Sequence, residues 1–273
     1  MKKVWIVVLG FVFVAVLLNA GTQTDLQKRE LKGAVHTLTE GTDTYTFNKA
    51  GNIETISNKY SDEYGEVCYT YNSKGQLTSS GDEEAGTSYT YNDKGLLVEE
   101  EYSDWEETSK TIYSYNAKNQ ITWAKGYSNK KLTGATEYAY DAAGNVSKES
   151  NYDKDNLLTG YSEMVYDANK NIVELRKYDA KGVLGDKRQK KYNAQNRLIE
   201  EATFTGSNPR SKRTLSYDAQ GNQTDETFLD IKSNTTIKTT YKYTYDSHGN
   251  WTKKEKWEGG VLRHTASRTI SYY

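Results

Sequence analysis

One cysteine, one proline and three histidines serve 273 residues, and each scarcity closes off a class of protein. Cys68 stands alone, so there is no disulfide framework and no paired thiolate site for a metal. It also lies far from the N-terminal stretch in which a lipid-modified cysteine would stand. His36, His248 and His264 are scattered, whereas a serine or cysteine nucleophile needs a base beside it and an acid to orient that base. No motif supplies the set, and neither a metal nor an organic cofactor is implied. Apolar residues make up 35% of the chain, too few for a thick aliphatic core. The formal charge of −1 lacks the basic excess of a nucleic-acid surface.

The one long apolar run comes first. Lys2 and Lys3 precede an apolar stretch from Val4 to Leu18, which Asn19 and Ala20 close. That is the order of a secretory signal, with cleavage expected near Ala20. About fifteen apolar residues are few for a full span, so no stable membrane span is expected after cleavage, and retention as an anchor is the alternative. Loss of two lysines leaves 34 basic against 37 acidic residues, a charge of −3. The expected location is the periplasm or the cell surface. Residues 21–40 read as a leader and an edge strand, and residues 41–273 as one repeat domain.

What the chain has in quantity is tyrosine, 24 residues, and glycine, 21 residues. They are organised. Tyr243-Thr-Tyr-Asp-Ser-His-Gly-Asn-Trp is a strand, a four-residue turn and the start of a second strand. The unit recurs around Tyr71, Tyr91, Tyr115, Tyr140, Tyr166, Tyr192, Tyr217 and Tyr245, with turn glycines Gly51, Gly75, Gly95, Gly144, Gly221 and Gly249. Successive central aromatics lie roughly 20 to 28 residues apart, one hairpin per period. The Asn or Asp that opens each turn bonds its side chain to backbone further on, and glycine three positions later supplies positive φ. Asn119 and Asn196 replace that glycine with the next most tolerant residue. At Lys170 the conformation is expected to pass to Asn169 or Asn171.

Beyond each turn an apolar residue two past the glycine and an aromatic eight past it recur, as Val146 with Tyr152 and Trp251 with Trp257. Both offsets are even, so the pair is expected on one face. The linkers between hairpins vary in length and sequence, which predicts one uniform and one variable sheet edge. Ten units of two strands give an all-β, antiparallel sheet of about twenty strands, too wide to stay flat. The expectation is a tandem hairpin array curled around its tyrosine face into a spiral, a shell or a wide barrel. A β-propeller is the alternative.

The Tyr-x-Tyr-Asp-x-x-Gly-Asn pattern at Tyr138–Asn145 and Tyr243–Asn250 resembles the tyrosine-aspartate repeat of RHS and teneurin-like proteins, over nearly all of the chain beyond residue 40. The resemblance implies a β-strip wound into a shell, in exported bacterial proteins often described as carbohydrate-binding. The self-cleaving core of the polymorphic toxins in that family needs aspartates and prolines. Here Pro209 is the only proline, and neither that core nor a toxin is expected.

Acidic runs at Asp82–Glu84 and Glu99–Glu101 fit solvated strand faces and turn caps better than a calcium site, which needs six to eight oxygens from one loop. Thr244–Trp251 fails the sialidase Asp-box spacing by one residue, at Gly249. Tyrosine rings repeat with the hairpins, as packing alone would place them. Trp105, Trp123, Trp251 and Trp257 are less regular and are the candidate ligand residues. The expected function is a non-enzymatic surface or periplasmic binding scaffold, carbohydrate first and protein second. An RHS-like shell component and a glycan-active enzyme are the remaining alternatives.

Overall fold

A computed structural model describes residues 23–59 and 65–273; the expected signal at residues 1–20 lies outside them. The chain begins with a single helical turn, α1 (Asp25–Lys28), and continues as twenty strands. The first six are β1 (Val35–Glu40), β2 (Asp43–Phe47), β3 (Ile53–Asn58), β4 (Val67–Tyr71), β5 (Leu77–Gly81) and β6 (Gly86–Tyr91). The next seven are β7 (Leu97–Ser103), β8 (Thr108–Tyr115), β9 (Ile121–Ser128), β10 (Lys131–Tyr140), β11 (Val146–Asp153), β12 (Leu158–Tyr166) and β13 (Ile172–Asp179). The last seven are β14 (Leu184–Tyr192), β15 (Leu198–Thr205), β16 (Asn208–Tyr217), β17 (Gln223–Asp230), β18 (Thr235–Tyr245), β19 (Trp251–Glu258) and β20 (Val261–Tyr272).

Each strand pairs antiparallel with its sequence neighbours, and β20 returns to β1, where Leu38 faces Ile270 and Glu40 faces Arg268. The sheet is therefore a closed barrel, not a spiral and not a set of propeller blades. The strand expected at the edge, β1, is paired on both sides, because only closure leaves no unpaired row of backbone groups. At about 4.8 Å between strands and a tilt near 40°, twenty strands make a ring roughly 40 Å across. The strands that pack closely along their length are neighbours in the ring.

The Tyr-Asp turns crowd one end of the barrel. In the turn between β18 and β19, Asp246 Oδ1 accepts from the backbone N–H of His248 and Asn250, each at 2.9 Å, and Gly249 has φ +77. Lys170 itself takes φ +67, not Asn169 or Asn171. Two backbone hydrogen bonds, Asp167 N–H to the Asn171 carbonyl and Lys170 N–H to the Asp167 carbonyl, need that conformation at the fourth residue, so position overrides the preference of the side chain. The opposite end is more varied, yet Asp179 repeats the same device there, accepting from Lys181 N at 2.9 Å and Val183 N at 2.8 Å.

A β-bulge follows every Tyr-Asp turn. Tyr140 pairs with Val146, but Ala139 pairs with Lys148, so one extra residue enters the returning strand. An extra residue reverses which side every later residue faces. Val146 is thus buried on the inner wall beside Tyr113 and Tyr138. Tyr152 points outward, with its ring 5.4 Å from that of Trp123 and its hydroxyl donating to Glu137 at 3.0 Å. The expectation that the two offsets share a face is overturned, and the same reversal separates Trp251 from Trp257.

The bulge interrupts the ladder, and the next repeat repairs it. Tyr140 Oη donates to the carbonyl of Ile121 at 2.8 Å, Tyr166 to Val146 at 2.9 Å, and Tyr217 to Leu198 at 2.6 Å. Tyr71, Tyr91, Tyr115 and Tyr192 repeat the contact. In the longer strand β18 the role passes to Tyr243, while Tyr245 reaches Asp218 Oδ2 at 2.6 Å. Tyr140→Phe leaves a carbonyl without its partner and should cost about 1 kcal/mol in urea unfolding. An unchanged midpoint would remove these hydroxyls from the account of stability.

Candidate functional site

The face that carries the tyrosine pairs is the inner wall. Val35, Leu38 and Phe47 are fully buried on it, and Leu26 and Leu31 of the leader pack against them. The leader is clasped on both sides of the β20–β1 seam. Thr24 and Gln27 form a capping box on α1. Leu26 N–H donates to the Gly51 carbonyl at 3.0 Å, and Lys32 exchanges two hydrogen bonds with the Asn250 side chain at 2.8 and 2.7 Å. A side chain at Gly51 would meet Thr24 Oγ1 at 3.1 Å and Leu26 at 3.2 Å, so close approach reinforces its positive φ.

Away from the seam a second cluster of Tyr113, Ile121, Ala124, Tyr138 and Val146 is buried on the same face, and beyond it the wall is open to water. Tyr69, Tyr89 and Tyr91 are half-buried, and Asn151, Lys177 and Arg188, also on the inner face, are exposed. Burial pushes the phenols of Tyr115, Tyr166 and Tyr243 up to about 12. The arc from β2 to β12 is aromatic and apolar. The arc from β13 to β20 adds charge, with Lys190 standing where Tyr113 and Tyr138 stand in earlier repeats, while Leu215 and Tyr243 keep that position apolar or aromatic in β16 and β18. Arg213 pairs with Glu201 at 3.1 Å and Lys256 with Glu258 at 2.7 Å. Burial lowers the Lys254 ammonium, helped by Arg268 nearby, and its Nζ lies over the Tyr241 ring at 4.7 Å. Burial raises the Glu149 carboxyl despite the opposing charge of Lys177.

The four candidate tryptophans do not converge. Trp105 lies in the turn between β7 and β8 and is 74% exposed. Trp123 faces outward beside Tyr152. Trp257 faces outward too, with Lys242 Nζ 4.5 Å above its ring and its Nε1 donating to Glu255 at 3.2 Å. Trp251 alone among the described tryptophans faces the lumen, beneath the Arg268 guanidinium at 3.4 Å and 6.3 Å from the Tyr243 ring. The charged lumen residues were missed, although the position two before each central tyrosine, occupied by Lys190 before Tyr192, marks one of them.

His248 stacks on Tyr272 at 3.9 Å, and Cys68 is exposed on the outer face. Among the described residues no three His, Cys, Asp or Glu side chains come close enough to share a metal ion. No described helix is long and apolar enough to cross a membrane. The outer wall carries charge, with Lys148 opposite Glu163 and Arg176 opposite Lys187, and also rings, among them Tyr152, Tyr161, Tyr178 and Phe204.

No protein-family model matches the chain, and no curated protein does. Among solved structures it is similar to a chain of the Photorhabdus luminescens Tc holotoxin pore, at 10% identity and a TM-score of 0.35, covering 84% of this chain and 17% of that one. A porin-like protein from Bacteroides uniformis aligns at 12% identity and a TM-score of 0.41, over 88% of this chain and 99% of its own. One from Bacteroides vulgatus aligns at 13% identity and a TM-score of 0.34, over 88% and 98%. At these scores the class, an all-β closed barrel of twenty antiparallel strands, rests on the strand pairing itself.

Proposed function

We propose that this chain is an exported, non-enzymatic binding scaffold, a water-filled barrel of the periplasm or cell surface that holds a glycan against its inner wall. The inner wall carries the proposal. The rings of Tyr91, Tyr115 and Tyr140 are half-exposed on it, and their hydroxyls are tied to backbone carbonyls, which fixes the rings before any ligand arrives. Sugar rings stack on aromatic faces, and the charged arc opposite offers partners for sugar hydroxyls. Lys148, Arg176 and Lys187 on the outer wall fit water on that side as well, since a Lys or Arg would cost about 2–4 kcal/mol at a bilayer midplane.

Trp251 supplies the test. Wall polysaccharide fragments should change its fluorescence, and Tyr89→Ala should weaken that response about tenfold, about 1.4 kcal/mol. Silence toward every glycan would discard the reading. A second reading, an RHS-like shell that encloses a polypeptide, draws on the tyrosine-aspartate repeat and on the charged arc of Lys177, Arg188 and Arg213. Silence toward glycans together with a polypeptide retained in the lumen would favour it.

A further inference from the structure

Cations gather on the inner wall beside the seam. Lys254 of β19 lies with its Nζ over the rings of Tyr241 and Tyr243, at 4.7 and 5.7 Å, and makes no ion pair among the described residues. Ala266 of β20 is its cross-strand partner, a side chain too short to cover it. Two residues further along the same strand, Arg268 stacks on Trp251 at 3.4 Å and reaches Glu40 at 3.2 Å. The leader adds Arg29, whose guanidinium lies 3.9 Å from the Tyr45 ring. Against these three cations the neighbouring strands set Glu40 and Asp43, and Asp43 already accepts from Asn58 Nδ2 at 2.5 Å.

Like charges held together in a wall repel, and both side chains register it. Burial lowers the Arg268 guanidinium, Glu40 opposes this, and Arg29 adds to it. Burial lowers the Lys254 ammonium, and Arg268 adds to it. An anion bound between them would give Lys254 the partner it lacks and relieve the repulsion. Stacking on Trp251 fixes the plane of the Arg268 guanidinium, so its donors are set before a ligand arrives. We infer that Lys254 and Arg268 form an anion subsite of the lumen, which takes the carboxylate or sulfate group of an acidic sugar. The inference rests on the glycan reading above and narrows its ligand to polysaccharides that carry negative charge.

Matched oligosaccharides test it on the full chain, read by the fluorescence of Trp251: oligogalacturonate against its methyl ester, and sulfated dextran oligomers against dextran. In at least one pair the charged member should half-saturate at a concentration about tenfold lower than the neutral one, and the pair that shows this tells carboxylate from sulfate. Added salt should weaken the charged member alone. Lys254→Gln should bring the two members within about twofold of each other. So should Ala266→Glu, which supplies the subsite with a carboxylate of its own. Lys148→Gln, on the outer wall, should leave the preference intact, and all three variants should keep the β-sheet circular dichroism. Titration without preference for the charged member of either pair overturns the inference and leaves the glycan reading standing. A preference that survives both Lys254→Gln and Ala266→Glu does the same, as does a response to neutral wall fragments with silence toward all four probes. Silence toward every glycan removes both.

Discussion

Phe47→Ala is expected to destabilise the barrel by roughly 3–5 kcal/mol, the largest effect of any single substitution considered. The ring is fully buried and touches both the leader and the strands that close the sheet. Removing it leaves a cavity at the seam, where Val35, Leu38 and Ile53 cannot collapse inward without moving β1. Tyr152→Ala, on the outer wall, should cost under about 1 kcal/mol by comparison. Urea midpoints of the two variants check the contrast. Equal losses would mean that inner and outer faces had been assigned wrongly.

Alkaline pH should unfold the barrel in one step between pH 10 and about 12. Tyr115, Tyr166 and Tyr243 ordinarily ionise at 10.0, and burial raises each to about 12 in the folded wall. Between those values the unfolded chain has released protons that the folded chain still holds. Stability is therefore complete below pH 10 and falls as pH rises through the window. The β signal in circular dichroism and the absorbance of tyrosinate should change together. Gradual ionisation near pH 10 around an intact barrel would show that the rings lie in solvent.

The sequence revealed most where the chemistry is local. Asp246 and Gly249 define their turn within five residues, and nine such turns make a hairpin array almost unavoidable. The bulge could not be read, because it exists only as the pairing of Ala139 with Lys148. Parity beyond each turn goes with it: the even offset groups Trp257 with Trp251, whereas the bulge turns Trp257 to the outer face of the same strand. The role of β1 was equally hidden, since its pairing with Thr269 and Ile270 spans the whole chain. Lys170 shows the limit of preference statistics: a turn held by hydrogen bonds at both ends imposes its φ on whichever residue stands there.

Closure also explains the leader. A seam between first and last strands is where a ring of twenty would open, and the clasp of Lys32 on Asn250 and of α1 on Gly51 crosses that place. The ion pair of Arg268 with Glu40 at 3.2 Å lies on the inner side of the same seam.

A disulfide across the seam measures closure most directly. Thr37 Oγ1 and Ser271 Oγ lie 2.7 Å apart on paired strands, so cysteines there have the geometry to join. In a Cys68→Ser background, Thr37→Cys with Ser271→Cys should oxidise within one folded molecule and fail to do so in urea. A folded monomer that leaves both thiols free would mean that the sheet is an open strip.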